Sequence, residues 1–215
     1  MRKTCTALVQ AAMLATTAHA QPGKHLALGA GVGIHDYSDN SFRSRSASII
    51  PEYHFGLTPH SDADGFSFGL KGGINYAQPE RDDFIGGLET TTGKLRLFPV
   101  MVGAGPSYRS GPLRVGMGVV VGPSFNKFTV NDAARVAYRD RLGETLNAIE
   151  VKNSFAARPD VSVWYNFSEK VGLHTSVSYT INRPVVETTV DGVQTESRWK
   201  TDHWSYHAGL AYGIF

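Results

Sequence analysis

Trp204 to Phe215 reads WSYHAGLAYGIF, and its alternation decides the fold. Trp204, Tyr206, Ala208, Leu210, Tyr212 and Ile214 share one face of a strand; Ser205, His207, Gly209, Ala211 and Gly213 share the other. A period of two over this length means a strand with one apolar face and one small or polar face. At about 3.3 Å per residue it is long enough to cross an apolar layer at a tilt, which takes roughly 9–11 residues. Elsewhere no stretch carries the roughly 18 successive apolar residues of a spanning helix. A chain of this pattern can cross a membrane only as a closed barrel, because lipid offers backbone N–H and C=O groups no partner.

The start of the chain fits export. Arg2 and Lys3 precede a short, mostly apolar run from Thr6 to Ala18, and Ala18-His19-Ala20 is an A-x-A cleavage signal before Gln21. The expected division is a signal peptide, 1–20, cleaved after Ala20, and one mature domain, 21–215. Cys5 would leave with the signal, so the mature chain would hold neither disulfide nor thiol chemistry. Losing Arg2 and Lys3 leaves 19 basic residues against 19 acidic ones, which gives no argument for nucleic acid as a partner.

Upstream of the last strand the same alternation recurs. Strands are predicted over about 24–37, 47–57, 66–77, 93–108, 113–125, 149–167 and 171–182. The GAGVG string at 29–33 has glycines at alternate positions and lacks the GxGxxG spacing before a helix, so it reads as small residues inside a narrow barrel. In the fourth strand Leu95 and Leu97 suggest one outward face, whereas Phe98, Val100 and Val102 suggest the other; Pro99 sits at the change and suggests a bulge. Within 126–148 a short helix is expected over 132–147, capped by Asn131 and weakened by Gly143. Asp191-Gly192 reads as a hairpin tip inside the connection 183–203.

Connections after the first, third, fifth and seventh strands are long, and those after the second, fourth and sixth are short. Short periplasmic turns opposite long extracellular loops, on an even number of strands, is the pattern of outer-membrane barrels. Aromatic residues divide by depth as well. Tyr53, Phe55, Phe66, Tyr108, Tyr165, Phe167 and Tyr212 fall near the periplasmic ends, and Tyr76, Phe125, Phe128, Tyr179, Trp204 and Tyr206 near the outer ends, as two interfacial belts would. The lipid-facing set is expected to include Leu28, Val32, Phe68, Leu70, Val119, Val163, Val177 and Leu210. The last strand, ending on Phe215, resembles the closing strand of bacterial outer-membrane barrels. Together these features resemble the small OmpA/OmpX-type outer-membrane β-barrels over Lys24 to Phe215, as a pattern. The resemblance implies an all-β fold, an eight-stranded antiparallel up-and-down transmembrane β-barrel in the bacterial outer membrane. It implies lipid and lipopolysaccharide as surroundings, the barrel-assembly machinery during insertion, and an extracellular ligand taken through the loops. Adhesion, envelope integrity or a small gated pore are the functions it implies.

The faces assigned inward carry Glu52, His54, Lys71, Arg96, Arg114, Arg158, Asp160, His174 and His207. An eight-stranded barrel is just wide enough to be filled by its own side chains, and ions there must pair, so a salt-bridged lumen is expected, with a switchable gate as the sharper reading. His174-Thr175-Ser176 resembles the His-x-Ser pair of outer-membrane lipid A deacylases, but the alternation turns both side chains inward here and Glu187 falls in the next loop. His54, His174 and His207 lie on different strands without metal-ligand spacing, and Asp36, Asp39 and Asn40 look like any polar loop, so no metal or cofactor is expected. The sequence therefore points to a non-enzymatic surface or structural barrel. A deacylase-like enzyme and a soluble lipocalin-like binder, with the two faces reversed, are the other readings.

Overall fold

The computed structural model describes the backbone of residues 24–43, 52–59, 65–168 and 170–213, and the side chains of 30–42, 65–168 and 170–212. The expected signal peptide, the start of the expected second strand and Phe215 lie outside the described residues. In chain order the strands are β1 (Lys24–Tyr37), β2 (Phe42–Arg43), β3 (Glu52–Pro59), β4 (Gly65–Ile74), β5 (Glu80–Ile85), β6 (Leu88–Ser110), β7 (Leu113–Val130), β8 (Leu146–Val151), β9 (Ser154–Asn166), β10 (Val171–Asn182), β11 (Val185–Val190), β12 (Val193–Arg198) and β13 (His203–Gly213). A helix, α1 (Asp132–Ala137), continues into a π-helical turn, Tyr138–Leu142.

Eight of the strands form an antiparallel ring, β1-β3-β4-β6-β7-β9-β10-β13, in which each is hydrogen-bonded on both sides. Strand β13 joins β1 from Ala27↔Gly213 to Tyr37↔His203, so the last strand does close the ring on the first. Ring neighbours follow chain order, the up-and-down arrangement. Alternation sets the two faces. Val32, Phe68, Leu70, Val119, Val177 and Leu210 are exposed on the outside, with Val163 half-buried. His35, Arg158, Ser162, His174, Ser178, Ser205 and His207 are buried inside. A soluble barrel would bury the first set and expose the second, so the reversed, lipocalin-like reading is overturned.

Of the rings expected at the inner end, Phe66, Tyr108, Tyr165, Phe167 and Tyr212 are exposed, with Phe66 on Tyr108 at 4.9 Å and Tyr165 on Phe167 at 5.4 Å, and the side chains of Tyr53 and Phe55 lie outside the described residues. At the outer end Phe125, Trp204 and Tyr206 are exposed, and Tyr179 lies 5.0 Å from Trp204. Two of the rings expected there do not belong to the belt. Phe128 is buried, and Tyr76 packs against the same core from its edge.

The fourth strand departs from expectation. Its pairing with β7 runs in one register from Gly93↔Val130 to Ser110↔Leu113, with no shift at Pro99 and hence no bulge there. From Gly93 onward odd-numbered positions point inward, so Leu95 (0% exposed) and Leu97 (1%) face in and Arg96 faces out. The assignment of Arg96 to the lumen and of the two leucines to lipid is therefore corrected. The cause is length: β6 and β7 continue as a ribbon beyond the ring, and inside that ribbon lies a second apolar core.

That core sits at the end carrying the long connections. Phe42, Ala77, Ile85, Leu95, Leu97, Phe128, Ala134, Ala137, Leu146, Ile149, Val186 and Trp199 are buried together. The long connections thus contain ordered elements. Strand β5 pairs with the start of β6, and β12-β11-β8 make a separate three-stranded sheet. The expected single strand 149–167 is in fact two, because the chain leaves the ring at residues 152–153 to join that sheet. Side chains replace the lost ladder: Asn126 donates through Nδ2 to the Lys152 carbonyl at 2.9 Å and to Ser154 Oγ at 2.8 Å, and Asn153 Oδ1 accepts from the Asn126 N–H at 3.0 Å. In β8 a register shift opposite Thr189/Val190 changes the alternation, so that Leu146 and Ile149 both reach the core. Asn131 caps α1 as expected, accepting from the Ala133 N–H at 3.2 Å, and Gly143 ends the π-turn at φ 69°. Asp191 and Gly192 form the expected hairpin tip, both with positive φ.

Candidate functional site: a filled lumen under a folded crown

Lys71 of β4 and Asp160 of β9 meet inside the ring as an ion pair that is also a hydrogen bond. Between them lie β6 and β7, and glycines open the way. A Cβ placed on Gly118 would stand 2.6 Å from Lys71 Cε and 2.7 Å from the Ala104 carbonyl oxygen, so a larger residue there would crowd the lysine's end. Both charged side chains are mostly buried, which makes mutual pairing obligatory.

Around this pair the other inward residues are stacked by register. Arg158 lies opposite Val120 and is only 3% exposed. His174, 2% exposed, has its ring 4.0 Å from Trp164 and 5.2 Å from His207. His207 occupies space that Gly31 leaves free: a Cβ on Gly31 would stand 2.6 Å from its Nε2. Higher up, Ser205 Oγ contacts His35 Nδ1 at 3.3 Å, and His35 and Tyr37 each lie 4.8 Å from His203. Arg114 is inward and half-buried at the inner end, beside Arg109 and Trp164 in the pairing. Glu52 and His54 pair by backbone with Gly31 and Gly29, and their side chains lie outside the described residues. Of the residues singled out in the sequence, then, Lys71, Arg158, Asp160, His174 and His207 are gathered inside, Arg114 is at the inner rim, and Arg96 is outside.

Three residues that sequence reasoning passed over complete the upper lumen. Ser124, Ser154 and Asn182 are linked to one another and to Asn126, and Ser124 and Asn182 are fully buried. Asp202, 1% exposed, accepts from the Asn182 N–H at 2.9 Å and from Arg183 Nη2 at 3.0 Å. The available signal was their inward parity on β7, β9 and β10. Beyond this layer lies the apolar core: Trp199 packs edge-on to Phe128 at 5.0 Å and to Phe42 at 5.7 Å, and the Arg81 guanidinium covers its ring at 4.3 Å.

The crown's electrostatics are local. The hydrogen bond that the Lys152 ammonium donates to Glu187 holds its pKa above the ordinary range, with Glu150 adding to it. Burial, then the carboxylates of Asp83 and Glu144, push the Tyr138 phenol upward. Asp202 does the same for Arg183 through its hydrogen bond and charge. Among the described residues no cluster of histidines, cysteines and carboxylates is arranged to hold a metal ion. Asp39 Oδ1 is used by the Ser41 N–H at 2.9 Å. His174 stacks on Trp164 inside the ring, away from the lipid-facing surface that a deacylase pair would use.

No protein-family model matches the sequence, and no curated protein matches it either. Solved structures do. The outer membrane protein OprG from Pseudomonas aeruginosa superposes with a TM-score of 0.59 at 13% identity, over 89% of this chain and 96% of that one. The outer membrane protein AlkL, solved in lipid bilayers, gives 0.54 at 14% identity, over 92% and 93%. A major outer membrane protein from Thermus thermophilus gives 0.52 at 13%, over 89% and 99%. At such identities the likeness concerns the fold. By that fold, and by its apolar outer surface, the chain is a small eight-stranded transmembrane-type β-barrel with the fold of these outer-membrane proteins.

Proposed function

We propose that this barrel is a non-enzymatic surface protein whose lumen is closed and whose crown is the working part, in an adhesive or envelope-stabilising role. The observation that carries this reading is the crown core, to which each of the long connections contributes buried residues. A pore would need a continuous wet path. Here the path meets the Lys71–Asp160 pair, then the Ser124–Asn182 layer, then Phe128 and Trp199. In this proposal Glu52 and His54 join Arg158, His174 and His207 in a paired polar filling, residues 1–20 are removed on export, and the extracellular ligand binds ordered crown elements.

Conductance in planar bilayers tests it. The full mature chain should give no stable open level, and neither should Asp160→Ala, because the Ser124–Asn182 layer and the crown core still stand in the path. A long-lived open level from the wild-type chain would favour the small gated pore instead.

A further inference from the structure

The outer surface holds one feature that this function does not use. Where β9 and β10 leave the ring, a groove of about 390 Å³ lies between their ends and the β11–β12 hairpin. Its lower wall is Phe155 (67% exposed) and Ile181 (40% exposed), and its upper wall is Asn153, Arg183, Val185 and Arg198. The order is informative. Outward positions on β10 run Val171, Leu173, Thr175, Val177, Tyr179, Ile181 and then Arg183; on β9 the last apolar one is Phe155 and the next is Asn153. The groove therefore straddles the line at which the lipid-facing surface turns polar, just beyond the Tyr179–Trp204 pair of the outer belt.

We propose that this groove binds the phosphorylated headgroup of an outer-leaflet glycolipid, with Arg183 and Arg198 on the phosphate and the first part of an acyl chain on Phe155 and Ile181. Guanidinium groups suit phosphate because they present paired N–H donors in a fixed plane. Arg183 is held in place by Asp202, to which Nε and Nη2 both donate, while its Nη1 makes no bond among the described residues. Arg198 makes no ion pair among the described residues and sits opposite Val185 on the hairpin. The nearest opposing charges on that hairpin face are Glu187, which is occupied by Lys152 at 2.7 Å, and Glu196. A free anion would gain nothing from Phe155 and Ile181, and a neutral lipid nothing from the arginines; an anionic lipid uses both walls.

The test uses the full chain in nanodiscs of phosphatidylcholine, titrated with bis-phosphorylated lipid A and with the same lipid after phosphate removal. The wild-type chain should bind the phosphorylated form about tenfold more tightly, the loss expected for charge-assisted hydrogen bonds. Arg198→Gln should abolish that ratio, Arg198→Lys should restore part of it, and Val185→Glu should abolish it by a second route that leaves both arginines in place. Heat-modifiable migration would verify that each variant folds. Equal binding of the two lipids by the wild-type chain, or an unchanged ratio in Arg198→Gln and Val185→Glu, would overturn the proposal. So would displacement of the lipid by inorganic phosphate at matched concentration, since the site would then belong to a free anion.

Discussion

At the scale of single residues, what matters is that an ion inside a narrow ring has few partners to choose from. Asp160→Ala should destabilise the barrel by about 3 kcal/mol or more, because it leaves the Lys71 ammonium unpaired inside the ring. Lys71→Met with Asp160→Leu should cost much less than either single change, and urea unfolding from lipid vesicles would measure all three. Equal and additive losses would mean that the two side chains act independently. Outside the ring the sign reverses. Val119→Arg should cost about 2–4 kcal/mol in the bilayer, because Val119 faces lipid. Parity alone puts Lys71 and Asp160 on inward faces in the sequence, but not as each other's partners, because which ions meet across the ring depends on strand register. Arg96 departs from its expected side for a related reason: apolar neighbours such as Leu95 and Leu97 mark a lipid-facing side only inside the membrane, and that equation fails where a strand rises out of it into a second core.

Among the elements, those inside the bilayer were the most readable. The bounds of β10 agree with the alternation read from 171–182, since lipid on one side and a packed lumen on the other force a strict period of two. In the crown that constraint is gone. Leu146 and Ile149 are three apart on a strand, a spacing that only the shift opposite Thr189/Val190 explains, and no local pattern in the sequence announces it. Trp199 and Phe42 come from different connections and meet only in three dimensions. Trp199→Ala should therefore loosen the crown by about 3–5 kcal/mol while leaving heat-modifiable migration intact. Alkali should act on the crown in the same direction. Lys152 and Tyr138 both have raised pKa values in the folded chain, so each holds its proton more tightly folded than unfolded. That contribution is complete below the unfolded values, about 10 for Tyr and 10.4 for Lys, and is lost as pH rises through the folded ones. With Trp164 and Trp204 replaced by Phe, Trp199 emission should shift to the red above about pH 10; an unchanged spectrum to the onset of global unfolding would contradict it.

The molecule as a whole combines a ring whose interior holds paired and stacked polar side chains with long connections that build a second folded body. The protein should fractionate with the outer membrane and migrate differently on gels before and after heating. The central claim is that the crown is folded, and amide hydrogen exchange of the full chain in lipid nanodiscs tests it most directly. Exchange reads the free energy of local opening, residue by residue. Several crown amides are bonded across connections: Leu97 N–H to the Ala77 carbonyl at 2.8 Å, Lys152 N–H to Val185 at 2.9 Å and Trp199 N–H to Pro184 at 3.1 Å. These three, with Val186 beside them, should exchange at least about a thousandfold more slowly than an open chain, which corresponds to roughly 4 kcal/mol of local stability. Exchange at open-chain rates in the crown, with the ring strands still protected, would contradict the account.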